Sequence, residues 1–596
     1  MSAHAASLER ARDLRLRILL SRSVVAPAAL AGLSFALILF TWNTWGNPGS
    51  DTGYDTLAGI RVAHGDLPYV DFTYYYGPLA PVGLGLASLI GGAGMWPAVG
   101  FGLVIALAIV FSAYTLAASL SGPLGGFLAG ALTAAVAFSP NELSFVDPHT
   151  SSATLGVLTA LGFLLCLQRY AAVAGRRWLA AAGVCAGLSA LTRYEFAAAV
   201  FAAAATWLAL RLRARLSTWR DVAVFAAPAL VIPAAVYGAF LTAISAHRLV
   251  FDNLYPTDFL HSTGNVVLRS RMPWTVSSLA SLTGKLVLYA LGVAALLLVA
   301  RLLERGGRVR SALLAGGAVV GVAAVAASVV NPQALRHGLE FAYGWIPAGA
   351  GLASVVLLWR YRRAGTDWSV ARQVELALAV ALTVAAATTY NGFYIEAFSP
   401  QMATYMLPLA APFLVRLHLR VLAPNRTALV LGVVWLAALV LATNGLVLRD
   451  AAAETATVRG IGGALAMRPS EAPAYRAAAA AIAARTRPGE PILLAPQLTW
   501  LYALTERKNP LPQLSLLPGM LATPAAEHQA IRQLEGANVR LAVIDVHPFP
   551  AYAVGSFGSS FDHVLGQWIA RSFTRVSVLP VGGTDATLEI WSRRGS

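Results

Sequence analysis

Four aspartates, Asp51, Asp55, Asp66 and Asp71, fall within one stretch of the chain, GSDTGYDTLAGIRVAHGDLPYVDFTYYYGPLAP over residues 49–81. Acids at that density can take a proton from a hydroxyl or hold a cation. Asp51 and Asp55 are four residues apart, so a helix over 52–63 would set both carboxylates on one face. The structural alternative makes Asp51 the N-cap of that helix and leaves the other acids to solvate a loop. Glu142, Asp147 and His149 form a second group, in SPNELSFVDPHTSS. An acid followed by Pro and His suits a reacting site and equally the start of a helix. Arg193 and Glu195 stand close together in LTRYEF at a span end, where Arg193 suits a lipid phosphate with Glu195 orienting it or holding a sugar hydroxyl, and where the two equally suit a plain ion pair at the headgroup level. His247, Arg248, Asp252, Asp258, His261, Arg269, Arg271 and Trp274 follow within 246–283, with Lys285, Arg336 and His337 beyond. Arginines in such a loop suit a phosphate leaving group or a lipid headgroup, since guanidinium binds phosphate through paired hydrogen bonds.

The elements that must carry these residues are membrane helices. The chain is 57% hydrophobic and only 12% charged, against roughly 25% charged in ordinary soluble proteins. Apolar stretches recur at 24–42, 97–119, 123–139, 152–168, 178–192, 195–211, 221–245, 284–302, 311–330, 341–359, 370–390, 401–416 and 427–447, which makes thirteen expected spans. Helices satisfy their own backbone in hydrocarbon, so runs of about 20 apolar residues read as crossings. The segment 79–92 is apolar but short for a crossing, and reads as a helix lying at the interface. The first run is longer than a signal-peptide core and reads as a retained helix.

Charge sets the expected orientation. Alternate loops, with the N-terminus, hold 23 arginines, and the opposite loops hold 7 basic residues, Arg61, Arg193, Arg248, Arg269, Arg271, Lys285 and Arg336. Counting 79–92 as a crossing would scramble that asymmetry. The positive-inside rule then puts residues 1–23 in the cytoplasm and the acid-bearing loops outside. The outer loops are 43–96, 140–151, 246–283, 331–340 and 391–400. The formal charge of +16 is spread over short loops rather than one basic face, so nucleic acid is excluded as a partner. Cys166 and Cys185 both lie in apolar segments and make no disulfide framework.

After Leu448 the pattern changes. AYRAAAAAIAARTR alternates with the short apolar runs PILLAP, RLAVIDV, RVSVLPV and TLEIWSR, as in a small α/β domain. The expected fold is therefore an all-α polytopic membrane domain over 24–448, with an extracytoplasmic α/β domain over 449–596.

The order D-x-G-Y, helix, G-x-x-P-Y-x-D-F, aromatic residues, G-P-L after the first span resembles the polyprenyl-phosphate-dependent glycosyltransferases of the GT-C fold, whose relatives include protein O-mannosyltransferases and aminoarabinose transferases. The resemblance implies an inverting transferase in a bacterial inner membrane, moving a hexosyl or pentosyl group from a polyprenyl-phosphate sugar to a hydroxyl on a saccharide, lipid or protein of the cell envelope. Asp51 occupies the place of the family's catalytic acid, but Thr52 stands where a second acid often follows, so Asp55 is the substitute candidate. Asp147 matches the acid of the second outer loop. The substrate-binding candidates are Arg61, Tyr74, Tyr75, Tyr76, His149, Arg193, Glu195, Arg248, His261, Arg269, Arg271, Lys285, Arg336 and His337. A divalent cation, Mg or Mn, is the one cofactor such acids would hold, and no metal-ligand motif is present.

The second functional class is a transporter, flippase or assembly partner for a lipid-linked saccharide. A transporter should show internal repeats and charges near mid-bilayer. Neither is visible here, and no G-x-x-x-x-G-K-[ST], G-x-S-x-G or H-E-x-x-H motif occurs.

Overall fold

The structure, a computed structural model, describes residues 24–49, 52–140, 144–148, 150–256, 259, 276–304, 307, 311–312, 316, 346–364, 369–392, 395–423, 425–552 and 554–595. Each expected span other than 311–330 overlaps a described helix, 341–359 from residue 346 onward, and 311–330 lies almost wholly outside the described residues. Seven helices among the described residues are long and apolar enough to cross a bilayer. One of them, Trp96–Ala137, covers two expected spans and breaks between them at Gly122, whose φ is 81°, just before Pro123. A proline cannot continue the hydrogen-bond ladder of the preceding turn, so the break falls where the apolar pattern lapses.

Hydroxyls inside the spans bond back to their own helices: Thr41 donates to Leu37 O at 2.8 Å and Thr133 to Ala129 O at 2.8 Å. That removes polar groups from the lipid and explains their tolerance within apolar runs. Small residues let helices approach closely. A methyl added at Gly183 of helix Arg176–Ser189 would meet Phe225 O of helix Trp219–Leu241 at 2.2 Å.

The two ends of the bundle differ in charge. At one end Arg211 donates to Gln373 Oε1 (2.6 Å), Arg176 pairs with Asp221 (2.8 Å), Arg420 pairs with Glu375 (2.8 Å) and Arg416 donates to Leu120 O (2.6 Å). These arginines belong to the arginine-rich set of loops. The opposite end gathers the loops with the aspartates: Gly77 N–H donates to Thr192 O (2.7 Å) and Tyr74 N–H to Asn253 Oδ1 (3.0 Å). The helix Leu79–Gly91 lies at this end, packed on helix Tyr54–Ala63 through Leu84 and Gly59, with Leu86, Leu89 and Ile90 exposed.

The C-terminal region is α/β, as its alternating periods imply. Strand β1 (Ala456–Gly460) pairs antiparallel with β2 (Gly463–Met467), and a separate sheet has the order β3 (Leu493–Ala495), β4 (Leu541–Val546), β6 (Thr587–Arg593), β5 (Phe573–Pro580). Strands β3 and β4 are parallel; the other pairs are antiparallel. Helix Ala472–Arg485 covers one face of this sheet, while helices Pro524–Gly536 and His563–Ser572 cover the other.

One apolar core joins this region to the first acid-bearing loop. Tyr54, Leu57, Tyr69, Phe72 and Tyr74 pack with Tyr475, Trp500, Tyr502 and Leu588. Burying several large aromatic residues across a boundary ties the two parts firmly, because each removes 150–250 Å² from water.

Candidate functional site

The first loop is held in place before its acids can act. Helix Tyr54–Ala63 starts after Gly53, which sits in the left-handed region at φ 84° and presses on the backbone of Trp500. A side chain at Gly53 would fit neither that conformation nor that contact. Trp500 Nε1 donates to Pro48 O at 3.0 Å, and Thr499 Oγ1 donates to Thr52 O at 2.8 Å. The N-cap is thus Gly53, which corrects the reading of Asp51 as the cap and of a helix running from residue 52. Asp51 itself lies outside the described residues.

Asp55 is buried in the first turn of this helix. Tyr74 Oη donates to Asp55 Oδ1 at 2.7 Å, and the backbone N–H of Ser151 donates to Oδ2. Tyr74 Oη is also 3.1 Å from Ser152 Oγ. The carboxylate therefore sits at the N-terminus of helix Ser151–Val173, where unpaired N–H groups and the helix dipole favour negative charge.

Asp147 comes to the same place from the second loop. It is 8% exposed, and its backbone N–H donates to Ser144 Oγ at 3.2 Å. A methyl built at Gly46 would lie 3.4 Å from Asp147 Oδ2 and 2.6 Å from Thr52 Cγ2, so the carboxyl borders the residue that follows Asp51. Burial, with the negative charge of Asp55 adding to it, pushes the Asp147 carboxyl up to about 7. A carboxyl that exchanges its proton near neutral pH is suited to general base or acid work.

The remaining expected residues separate into groups. Tyr76 lies under Arg193, whose guanidinium carbon is 4.9 Å from the ring centre, and Tyr74 meets Tyr76 edge-on at 5.8 Å. Arg193 and Glu195 form a paired contact, Nη2–Oε1 2.8 Å and Nε–Oε2 3.2 Å, with side chains only 3% and 2% exposed. The G-P-L turn delivers Tyr76 to that pair: a methyl at Gly77 would lie 2.2 Å from Leu191 O, so only glycine lets the two loops touch. Tyr75 stacks on Phe259 at 5.3 Å. Arg61 is occupied by the protein itself, donating to Asp66 Oδ2 (2.7 Å), Leu511 O (2.7 Å) and Asp71 O (3.2 Å). Arg248 is exposed and donates to Val70 O at 2.7 Å. Lys285 falls on helix Val276–Glu304. His149, His261, Arg269, Arg271, Arg336 and His337 lie outside the described residues.

No three His, Cys, Asp or Glu side chains converge among the described residues in a way that could hold a metal ion.

No family model and no curated protein matches the chain. Its structure is similar to that of the Archaeoglobus fulgidus oligosaccharyltransferase in complex with zinc and sulfate, at 16% identity and a TM-score of 0.43, covering 95% of this chain and 73% of that one. It is also similar to ArnT from Cupriavidus metallidurans bound to undecaprenyl phosphate, at 15% identity and a TM-score of 0.41, covering 96% and 98%. At these TM-scores the likeness carries no residue-level correspondence.

Three residues of the C-terminal region were not singled out in the sequence, and two of them, Trp500 and Tyr475, border the first loop. Trp500 braces the first loop, and Tyr475 meets Trp500 edge-on at 5.5 Å. Asp545 is 1% exposed, and neither of its oxygens accepts a hydrogen bond from a described residue. His547 Nδ1 is 3.1 Å from Asp545 Oδ1, but the pair misses hydrogen-bond direction. Asp545 ends the apolar run LAVID, and an acid closing a buried strand was the available signal.

Proposed function

We propose that the chain is a membrane glycosyltransferase that takes a sugar from a polyprenyl-phosphate donor and passes it to an acceptor hydroxyl at the acid-lined end of the bundle. The observation that carries this reading is the meeting of the first-loop acid segment with Asp147, at the end of the bundle opposite the arginine-rich loops. A lipid phosphate and a water-borne acceptor can both reach such a place. Asp51 is the general base in this reading. It removes the acceptor proton, the oxygen attacks the anomeric carbon with inversion, and the carbon–oxygen bond to the carrier phosphate breaks.

Asp55, clamped by Tyr74 and Ser151, fixes the start of the helix that follows Asp51 in sequence. Asp147 adds a second carboxyl whose proton exchanges near neutral pH. Arg248, with Arg269 and Arg271 of the same outer loop, stabilises the charge arriving on the departing phosphate. Arg193, already committed to Glu195, positions Tyr76. The sugar is a hexosyl or pentosyl group, and the setting is a bacterial inner membrane with this end facing out.

Undecaprenyl phosphate, the common product whatever the sugar, is the probe for the phosphate site. In neutral detergent the full-length protein should bind it. Replacing Arg248, Arg269 or Arg271 with Ala, whichever holds the phosphate, should weaken binding by about 1.5–3 kcal/mol, as for a charged hydrogen bond. No binding by the wild type, or unchanged affinity in all three variants, overturns the phosphate assignment.

A further inference from the structure

A groove of about 760 Å³ opens on the C-terminal region, away from the acid site. Strand β1 and its turn form one wall with Thr457, Arg459 and Ile461. The outward face of helix Ala472–Arg485 forms the other with Arg476, Ala480 and Ala483. Arg487, Pro488 and Arg507 close the far end. Four arginines and no acid line this space. Glu490 and Glu506 stand near Arg507 but outside the lining.

The arginines are poised rather than neutralised. None of the four is in an ion pair among the described residues; the pairs lie elsewhere. Arg459, Arg476 and Arg487 are exposed. Arg476 donates Nε to Thr457 O at 3.0 Å, which fixes its guanidinium across the groove. Arg507 is buried and hydrogen-bonded only to neutral groups, Thr486 Oγ1 (2.9 Å), Thr486 O (2.6 Å) and Thr505 O, so its charge adds to the field with no carboxylate bonded to it. Ala480, Ala483 and Pro488 are exposed between these charges and give the groove an apolar face.

Its position relative to the bilayer follows from the β1–β2 turn. Gly462 O accepts the N–H of Met95 at 2.7 Å. Met95 precedes helix Trp96–Ala137, where Trp96 stacks on Trp42 at 6.1 Å, both rings being exposed. Exposed tryptophans at span ends mark the headgroup level of a membrane. Ile461, at the tip of the turn, is 62% exposed at that level. The groove therefore begins where lipid headgroups lie.

We propose that this groove binds a phosphate-bearing amphiphile, with Arg459, Arg476 and Arg487 on the phosphate and Ala480, Ala483 and Ile461 along the apolar part. Guanidinium groups grip phosphate by paired hydrogen bonds, and the small alanines leave room for a chain to lie flat. The proposal stands apart from the transfer chemistry and would survive its failure.

The test uses the full-length protein in an uncharged detergent, titrated with dihexanoyl phosphatidic acid, dihexanoyl phosphatidylcholine and inorganic phosphate. Phosphatidic acid should bind at least tenfold more tightly than either of the others. The double variant Arg459→Gln/Arg476→Gln should lose about tenfold or more of that affinity while keeping the wild-type unfolding midpoint, because both side chains are exposed. Arg532→Gln/Arg540→Gln, which removes the same charge elsewhere on the region, should bind as the wild type does. Equal affinity for inorganic phosphate would show that the apolar face is unused and would overturn the amphiphile. Equal affinity for phosphatidylcholine, or an equal loss in the two double variants, would overturn the arginine site.

Discussion

Replacing Asp147 with Asn removes a buried carboxyl while keeping its shape, and the consequence depends on pH in a calculable way. In the folded protein burial and the neighbouring Asp55 charge move this carboxyl from 3.8 to about 7. At about 1.4 kcal/mol per tenfold, the buried anion costs about 4 kcal/mol relative to the buried acid, to order of magnitude. Because the folded value lies above the unfolded one, the folded state holds the proton longer. The stability from the protonated form is complete below pH about 4, declines as pH rises, and is lost above about 7. Wild-type protein in neutral detergent should thus lose stability between pH 4.5 and 7.5, followed by intrinsic fluorescence against denaturant at each pH. Glu454 and Asp562, both raised by burial to about 8, titrate in the same direction in both proteins. The difference between wild type and Asp147→Asn therefore isolates Asp147, and the variant should be the more stable of the two at pH 7.5 relative to pH 4.5. Parallel pH profiles would refute the reasoning, by showing that Asp147 meets water or a cation in the folded protein.

Glu195→Gln should destabilise the protein by about 3–5 kcal/mol, because it strands the buried Arg193 charge, and Arg193→Met/Glu195→Met together should recover most of the loss in the same unfolding assay. Reporter fusions within 301–310 and after residue 596 should report opposite sides of the membrane, since the two bundle ends carry opposite loop sets; the same side for both would refute the thirteen-span scheme.

Much of the fold is legible because its drivers are local. A run of apolar residues must be helical in hydrocarbon, and the break at Gly122–Pro123 is written in the residues that make it. PILLAP, RLAVIDV, RVSVLPV and TLEIWSR each became a strand of the mixed sheet, and AYRAAAAAIAARTR became its covering helix. The β1–β2 hairpin was not legible, since ATVRG and GALAM carry too few β-branched residues to stand out. The joining of the first loop to the C-terminal region was hidden for another reason. Trp500 and Pro48 are 452 residues apart, and no local period signals such a contact. Within the site, sequence could gather basic residues at one end but could not tell which were occupied. Arg61 ties the first loop to Leu511, and Arg193 is spent on Glu195, while Arg248 stays exposed. The capping role offered for Asp51 failed on Gly53, whose left-handed backbone answers to packing against Trp500 rather than to residue spacing.

The central claim is transfer from a polyprenyl-phosphate donor with Asp51 as base. The most direct measurement reconstitutes the full-length protein in liposomes with radiolabelled polyprenyl-phosphate sugars and envelope extract, and follows transfer for wild type, Asp51→Asn and Asp55→Asn. A positioned carboxylate contributes roughly 10²–10⁴-fold to taking a hydroxyl proton, so Asp51→Asn should lose transfer by about that factor while inserting and unfolding as the wild type does. Asp55→Asn should keep more activity, because Asp55 is engaged with Tyr74 and Ser151. Transfer at the wild-type rate by Asp51→Asn would contradict the account and send the search for the base to Asp55 or Asp147.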